Sequence, residues 1–112
     1  MKLTIMNEAL NQLRQLQMDH KPYLRLYYDI EGCGCGVNGV RILYFTDEVT
    51  QYDEVVENDN YKIIIDEQQK TFFEPDMKLE WTGRLFRLKS PNGMLNASLS
   101  SRVIQKGVEF VG

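Results

Sequence analysis

Cysteine, histidine, tryptophan and proline are all scarce in this 112-residue chain, with two, one, one and three copies. Two cysteines make no disulfide scaffold, and a chain this long hides roughly 65% of its extended surface and holds together without one. The cysteines therefore need another reason. The lone histidine, His20, stands beside Lys21 just past a helical pattern and reads as a solvated side chain, leaving no hydrolytic triad to anchor. Long apolar runs are missing too. The aliphatic run Ile63-Ile64-Ile65 falls far short of the roughly 20 residues of a bilayer span, so no membrane span is expected. Basic excess is absent as well: 13 basic side chains face 16 acidic ones, a net charge of −3, which does not favour a phosphate-binding face and argues against nucleic acid. There is no internal repeat, low-complexity tract or linker, and one domain over residues 1–112 is expected. Met1-Lys2-Leu3-Thr4-Ile5-Met6-Asn7-Glu8 reaches a polar helix start too soon for a secretory signal, so a cytoplasmic location is expected. Asn96-Ala97-Ser98 matches a glycosylation acceptor but carries no weight without export.

What is present suffices for a core, since 43% of residues are apolar and 26% charged. Charge is uneven along the chain. Residues 47–76 hold ten acidic side chains against Lys62 and Lys70, a local balance of −8, while residues 1–46 balance at +1 and residues 77–112 at +4. The acidic segment reads as a solvated surface or as a docking face for a basic partner.

Periodicity orders the elements. Asn7 is positioned to cap a helix whose Ala9, Leu10, Leu13 and Leu16 recur at helical spacing, and Lys21-Pro22 closes that pattern. From Tyr23 the period becomes two, with Leu24, Leu26, Tyr28 and Ile30 facing one way and Tyr23, Arg25, Tyr27 and Asp29 the other, a half-buried strand. Further strands are predicted at Val40–Phe45, Val55–Val56, Lys62–Asp66, Met77–Thr82 and Leu85–Lys89, with a tight turn at Gly83 and another at Ser90-Pro91-Asn92-Gly93. A short second helix is predicted over Glu67–Phe73, and an irregular final strand over Val103–Val111, within a tail of residues 96–112 that the pattern places poorly. This order predicts an α+β, β-rich fold with mixed or antiparallel twisted sheets.

Glu31-Gly32-Cys33-Gly34-Cys35-Gly36 is the one segment that packing does not explain, and it holds both cysteines. Gly32, Gly34 and Gly36 free the backbone and remove side chains that would stop sulfur from converging on an ion. Thiolates suit zinc, copper(I) and iron-sulfur clusters, and Cys-x-Cys places two sulfurs beside one centre. Two sulfurs do not close a four-ligand site. A symmetric dimer, glutathione, a client protein, or a carboxylate such as Asp29 or Glu31 would complete it. Two other readings stay open: small buried apolar side chains in a tight loop, or a thiol redox pair, although redox motifs more often carry two intervening residues. Trp81, Tyr27, Tyr28, Phe72 and Phe73 read as packing, no acid/base pair stands out, and no phosphate-loop signature is present.

Tyr23-Leu24-Arg25-Leu26 running into Gly32-Cys33, followed by Ile63-Ile64-Ile65-Asp66, Leu79-Glu80-Trp81 and Ser90-Pro91-Asn92, resembles the A-type iron-sulfur carriers, the HesB-like family, over about residues 2–95. The family binds metal through one cysteine in a G-C loop and two in a C-terminal C-G-C motif. Only the first carries over, onto Cys33; the other two fall near Ala97 and Leu99, and Cys35 is an added thiol. The resemblance implies a twisted β-rich fold, self-association and a non-enzymatic role. Together these readings predict metal ligation by Cys33 and Cys35 in a loop shaped by Gly32, Gly34 and Gly36. The cargo would be an iron-sulfur cluster, such as [2Fe-2S], or iron, and the partners assembly or client proteins. The rivals are a scaffold that has lost its metal and docks partners, and a thiol redox protein.

Overall fold

Strand alternation and turn chemistry set most of the elements, and long-range pairing sets the rest. The computed structural model describes residues 1–30 and 39–107. Among these the chain runs through β1 (Lys2–Ile5), α1 (Asn7–Leu16), β2 (Tyr23–Asp29), β3 (Val40–Thr46), β4 (Asp53–Val56), β5 (Lys62–Asp66), a 3-10 helix (Glu67–Phe72), β6 (Asp76–Trp81), β7 (Phe86–Ser90), β8 (Gly93–Leu99) and α2 (Ser101–Lys106). The strands form two four-stranded sheets, ordered β1-β6-β7-β8 and β3-β2-β5-β4. Each is mixed: β1 lies parallel to β6 and β2 parallel to β5, while the other pairs are antiparallel. The α+β, β-rich architecture is the one expected.

Leu3, Leu13, Leu24, Leu26, Leu43, Ile63, Leu79 and Phe86 meet in one buried core, and α1 contributes Ala9 and Leu13 to it. Among the described residues, hydrogen bonds tie the two sheets along both edges. The Leu3 N–H donates to the Glu57 carbonyl at 3.0 Å and the Glu57 N–H to the Met1 carbonyl at 3.0 Å, extending β4 onto β1. On the opposite side the Asn96 amide donates to the Arg41 carbonyl at 2.7 Å, joining β8 to β3.

Several expectations are corrected. Residues 2–5 form a strand where none was predicted, because pairing with Asp76–Leu79 stabilises four residues too short to announce themselves. Asn7 is the first helical residue and Met6 the cap, without a side-chain bond, since its thioether carries no oxygen to accept a helix N–H; the Met6 N–H donates to the Leu79 carbonyl as β1 ends. The helix stops at Leu16, before Lys21-Pro22. β2 is not half-buried at its start: Leu24, Arg25 and Leu26 are all buried, because β3 and β5 flank the strand and the segment around residues 48–53 covers the Arg25 side. Ile30 lies beyond the strand and is 61% exposed.

The second helix is of 3-10 type, capped by the Asp66 carboxylate, which accepts from the Gln68 N–H. Gly83 (φ 97°) and Gly93 (φ 146°) occupy turns that demand positive φ. The tail is the largest correction. Residues 96–99 belong to β8, and Ser101–Lys106 is helical, not a strand. The Ser100 hydroxyl accepts from the Val103 N–H at 3.2 Å, Ile104 is buried, and Gly107 (φ 78°) ends the turn. The remainder of the predicted strand, residues 108–111, lies outside the described residues.

Candidate metal-binding loop and its root

Cys33 and Cys35, with Gly32, Gly34 and Gly36, fall in residues 31–38, outside the described residues. What is described is the root from which that segment leaves and to which it returns. β2 and β3 pair from Tyr23↔Thr46 to Asp29↔Val40, so the segment connects two antiparallel strands at one end of a sheet. Ile30 and Val40, on either side, are both exposed.

The root is closely tied. Tyr28 stacks on Phe72 with ring centroids 3.9 Å apart and planes 4° from parallel. The Arg41 guanidinium lies over the Tyr28 ring, 5.6 Å from its centroid, and its Nε donates to the Phe72 carbonyl. The Gln69 amide bonds the backbone of Tyr28 in both directions, accepting from its N–H at 3.0 Å and donating to its carbonyl at 3.3 Å. The Gly39 N–H donates to the Tyr28 hydroxyl at 2.8 Å. Sequence reading took Tyr28 and Phe72 for packing, which they are, and missed Gln69, Arg41 and Gly39. The glycine at position 39 was the available signal.

Among the described residues, no group of three or more His, Cys, Asp or Glu side chains is placed to hold a metal ion. His20 is exposed, as expected. The strand on which the family pattern would carry its C-G-C pair is β8, which reaches the root through Asn96 and Arg41. There Ala97 is exposed and Leu99 buried, a methyl and an isobutyl group in place of thiols. All of the chain's thiol chemistry is therefore confined to residues 33 and 35.

A second polar feature was not foreseen. Arg25 donates to both carboxylate oxygens of Asp53 at 2.7 Å and to the Glu48 carbonyl at 3.0 Å. Both side chains are buried, 10% and 2% exposed. Hydrogen bonding from Arg25 holds the Asp53 carboxyl below its usual range, helped by the Thr50 N–H, and the same bonds hold the guanidinium above its own. The pair adjoins a cleft of about 470 Å³ that also takes in Tyr27, Tyr44, Gln69 and Lys106. Burial pushes the Tyr44 phenol up. No helix among the described residues is long and apolar enough to cross a membrane.

Comparison with known proteins agrees with this geometry. The family model for iron-sulphur cluster biosynthesis matches residues 1–102. An uncharacterized Bacillus subtilis protein, YqkB, is 34% identical over 97 residues, covering 83% of this chain and 91% of its own. Among solved structures, a Lactobacillus acidophilus protein provisionally assigned to Fe-S biosynthesis superposes with a TM-score of 0.69 at 21% identity, covering 95% of each chain. IscA, determined with a [2Fe-2S] cluster, superposes with a TM-score of 0.58 at 17% identity, covering 89% of this chain and 99% of that one. With a matched family model over nearly its whole length and the same two-sheet fold, the chain belongs to the iron-sulphur cluster biosynthesis family, as a HesB-like, A-type domain with a role in that process.

Proposed function

We propose that the protein is a non-enzymatic carrier that holds an iron-sulfur cluster, of the [2Fe-2S] type, or iron, through the thiolates of Cys33 and Cys35. It would receive this cargo from assembly proteins and pass it to client proteins. The observation that supports the reading is the confinement of both thiols to one glycine-rich segment between β2 and β3 in a domain of this family. The donor set fits a soft metal but fills only half of a four-coordinate site. The other half would come from a second copy of the chain or from a thiol on the partner. A cargo held by few ligands leaves readily, which suits a carrier.

Anaerobic reconstitution with iron and sulfide tests this. The wild type is expected to develop visible charge-transfer absorption with bound iron, and Cys33→Ser or Cys35→Ser to abolish both. A colourless wild type without iron overturns the proposal.

A second reading rests on a different observation. Val49, Tyr52 and Val55 are exposed in the acidic segment, near Asp47, Glu48 and Glu54. On that reading the acidic face docks a basic partner whether or not metal is bound. Partner capture by a Cys33→Ser/Cys35→Ser variant would then equal that of the wild type, and its loss would exclude the idea.

A further inference from the structure

We infer that Tyr28, assisted by Gln69, is a positioning residue for the cysteine segment, fixing both of its ends at once. The inference rests on the reading of Cys33 and Cys35 as ligands. β2 pairs with β5 only as far as Leu26↔Ile65, because the chain turns into the 3-10 helix after Asp66. The Tyr28 N–H and carbonyl therefore have no strand beside them on that edge, and the Gln69 side-chain amide stands in for the missing strand with its two bonds. This locks the backbone where the chain enters the segment. The Tyr28 side chain then reaches across to where the chain returns: its hydroxyl accepts from the Gly39 N–H, while its ring is held against Phe72 and under Arg41.

Gly39 is the counterpart of that reach. A Cβ at this position would lie 2.6 Å from the Tyr28 ring and 2.9 Å from Ile30 Cγ2, so only glycine lets the backbone come within bonding distance of the hydroxyl. Closing the hairpin needs none of this, because the Asp29↔Val40 register already brings the strands together. Contacts beyond that need are what a ligand-bearing segment requires, since ligands are held in position by hydrogen bonds behind them.

Tyr28→Phe separates the hydroxyl from the stacked ring. The expected result is a thermal midpoint lowered by no more than about 10 °C, as the loss of one hydrogen bond requires, together with two altered readouts. In metal-free protein the rate at which Cys33 and Cys35 react with an aromatic disulfide reagent changes by about 2- to 12-fold, the range for one net hydrogen bond. In reconstituted protein the visible circular dichroism of the cluster changes, and iron is lost faster to a chelator by a similar factor. Gln69→Leu, altered outside the strands, is expected to act in the same direction and carries the test if Tyr28→Phe fails to fold. Folded variants with wild-type thiol rates, cluster dichroism and chelator kinetics overturn the inference. A wild type that takes up no iron, with thiol rates that still respond to Tyr28→Phe, overturns the carrier reading and leaves the positioning role standing.

Discussion

Arg25 stands between Leu24 and Leu26 in an interior strand, where an uncompensated guanidinium costs several kcal/mol, and Asp53 compensates it through two short hydrogen bonds. Asp53→Ala should therefore destabilise the protein by about 3–5 kcal/mol in urea denaturation. A double replacement by apolar residues, Arg25→Met with Asp53→Leu, should cost far less than the single change; equal costs would contradict a buried-charge origin. The pair also shapes the response to acid. Because the Asp53 carboxyl titrates below its unfolded value of about 3.9, its contribution is complete above that pH and disappears as pH falls through the folded value. Stability measured from about pH 5 downward should thus fall more steeply in the wild type than in Asp53→Asn. Tyr61 presents the opposite case. Its buried hydroxyl has no hydrogen-bond partner among the described residues, while its ring packs edge-on against Phe45 with centroids 5.8 Å apart. Tyr61→Phe keeps the ring and is expected to raise stability by about 1 kcal/mol in the same denaturation series.

Among the elements, α2 depends most visibly on one side chain. The Ser100 hydroxyl accepts from the Val103 N–H, and Ile104 anchors the six-residue helix in the core, so Ser100→Ala should cost about 1 kcal/mol, read as a lowered thermal midpoint. That helix was not legible in Ser101-Arg102-Val103-Ile104-Gln105-Lys106, whose adjacent Val-Ile favours a strand; capping and burial beside β3 override the local preference. β8 escaped for a related reason, because its pairing with β7 slips twice, between Phe86 and Leu88 and between Leu88 and Lys89, and disturbs the alternation. Where periodicity is clean the reading was close: Lys62–Asp66 is a strand with the expected ends, and Gly83 and Ser90–Gly93 turn where expected. The root of the cysteine segment was legible only in part. Glycines and thiols announce a loop, but Gln69 meets Tyr28 from 41 positions away, and no local pattern foretells such a meeting. The Arg25–Asp53 pair, 28 positions apart, was hidden in the same way, with only a charged residue between two leucines as a sign.

For the molecule as a whole, the governing feature is that both sheets are completed by parallel partners distant in sequence, β1 with β6 and β2 with β5. Long-range pairing of this kind slows folding, so refolding from urea should take milliseconds to seconds in stopped-flow fluorescence, and microsecond relaxation would contradict the topology. The charge follows the same division of the chain, with the acidic excess between residues 47 and 76 and a basic excess after it. The pairing of Lys2–Ile5 with Asp76–Leu79 has a further consequence during synthesis. The ribosome makes β6 about 70 residues after β1, a delay of several seconds at about 5–20 residues per second. Throughout that interval Leu3 and Ile5 have no sheet to join, and the nascent chain stays attractive to chaperones until β6 is released.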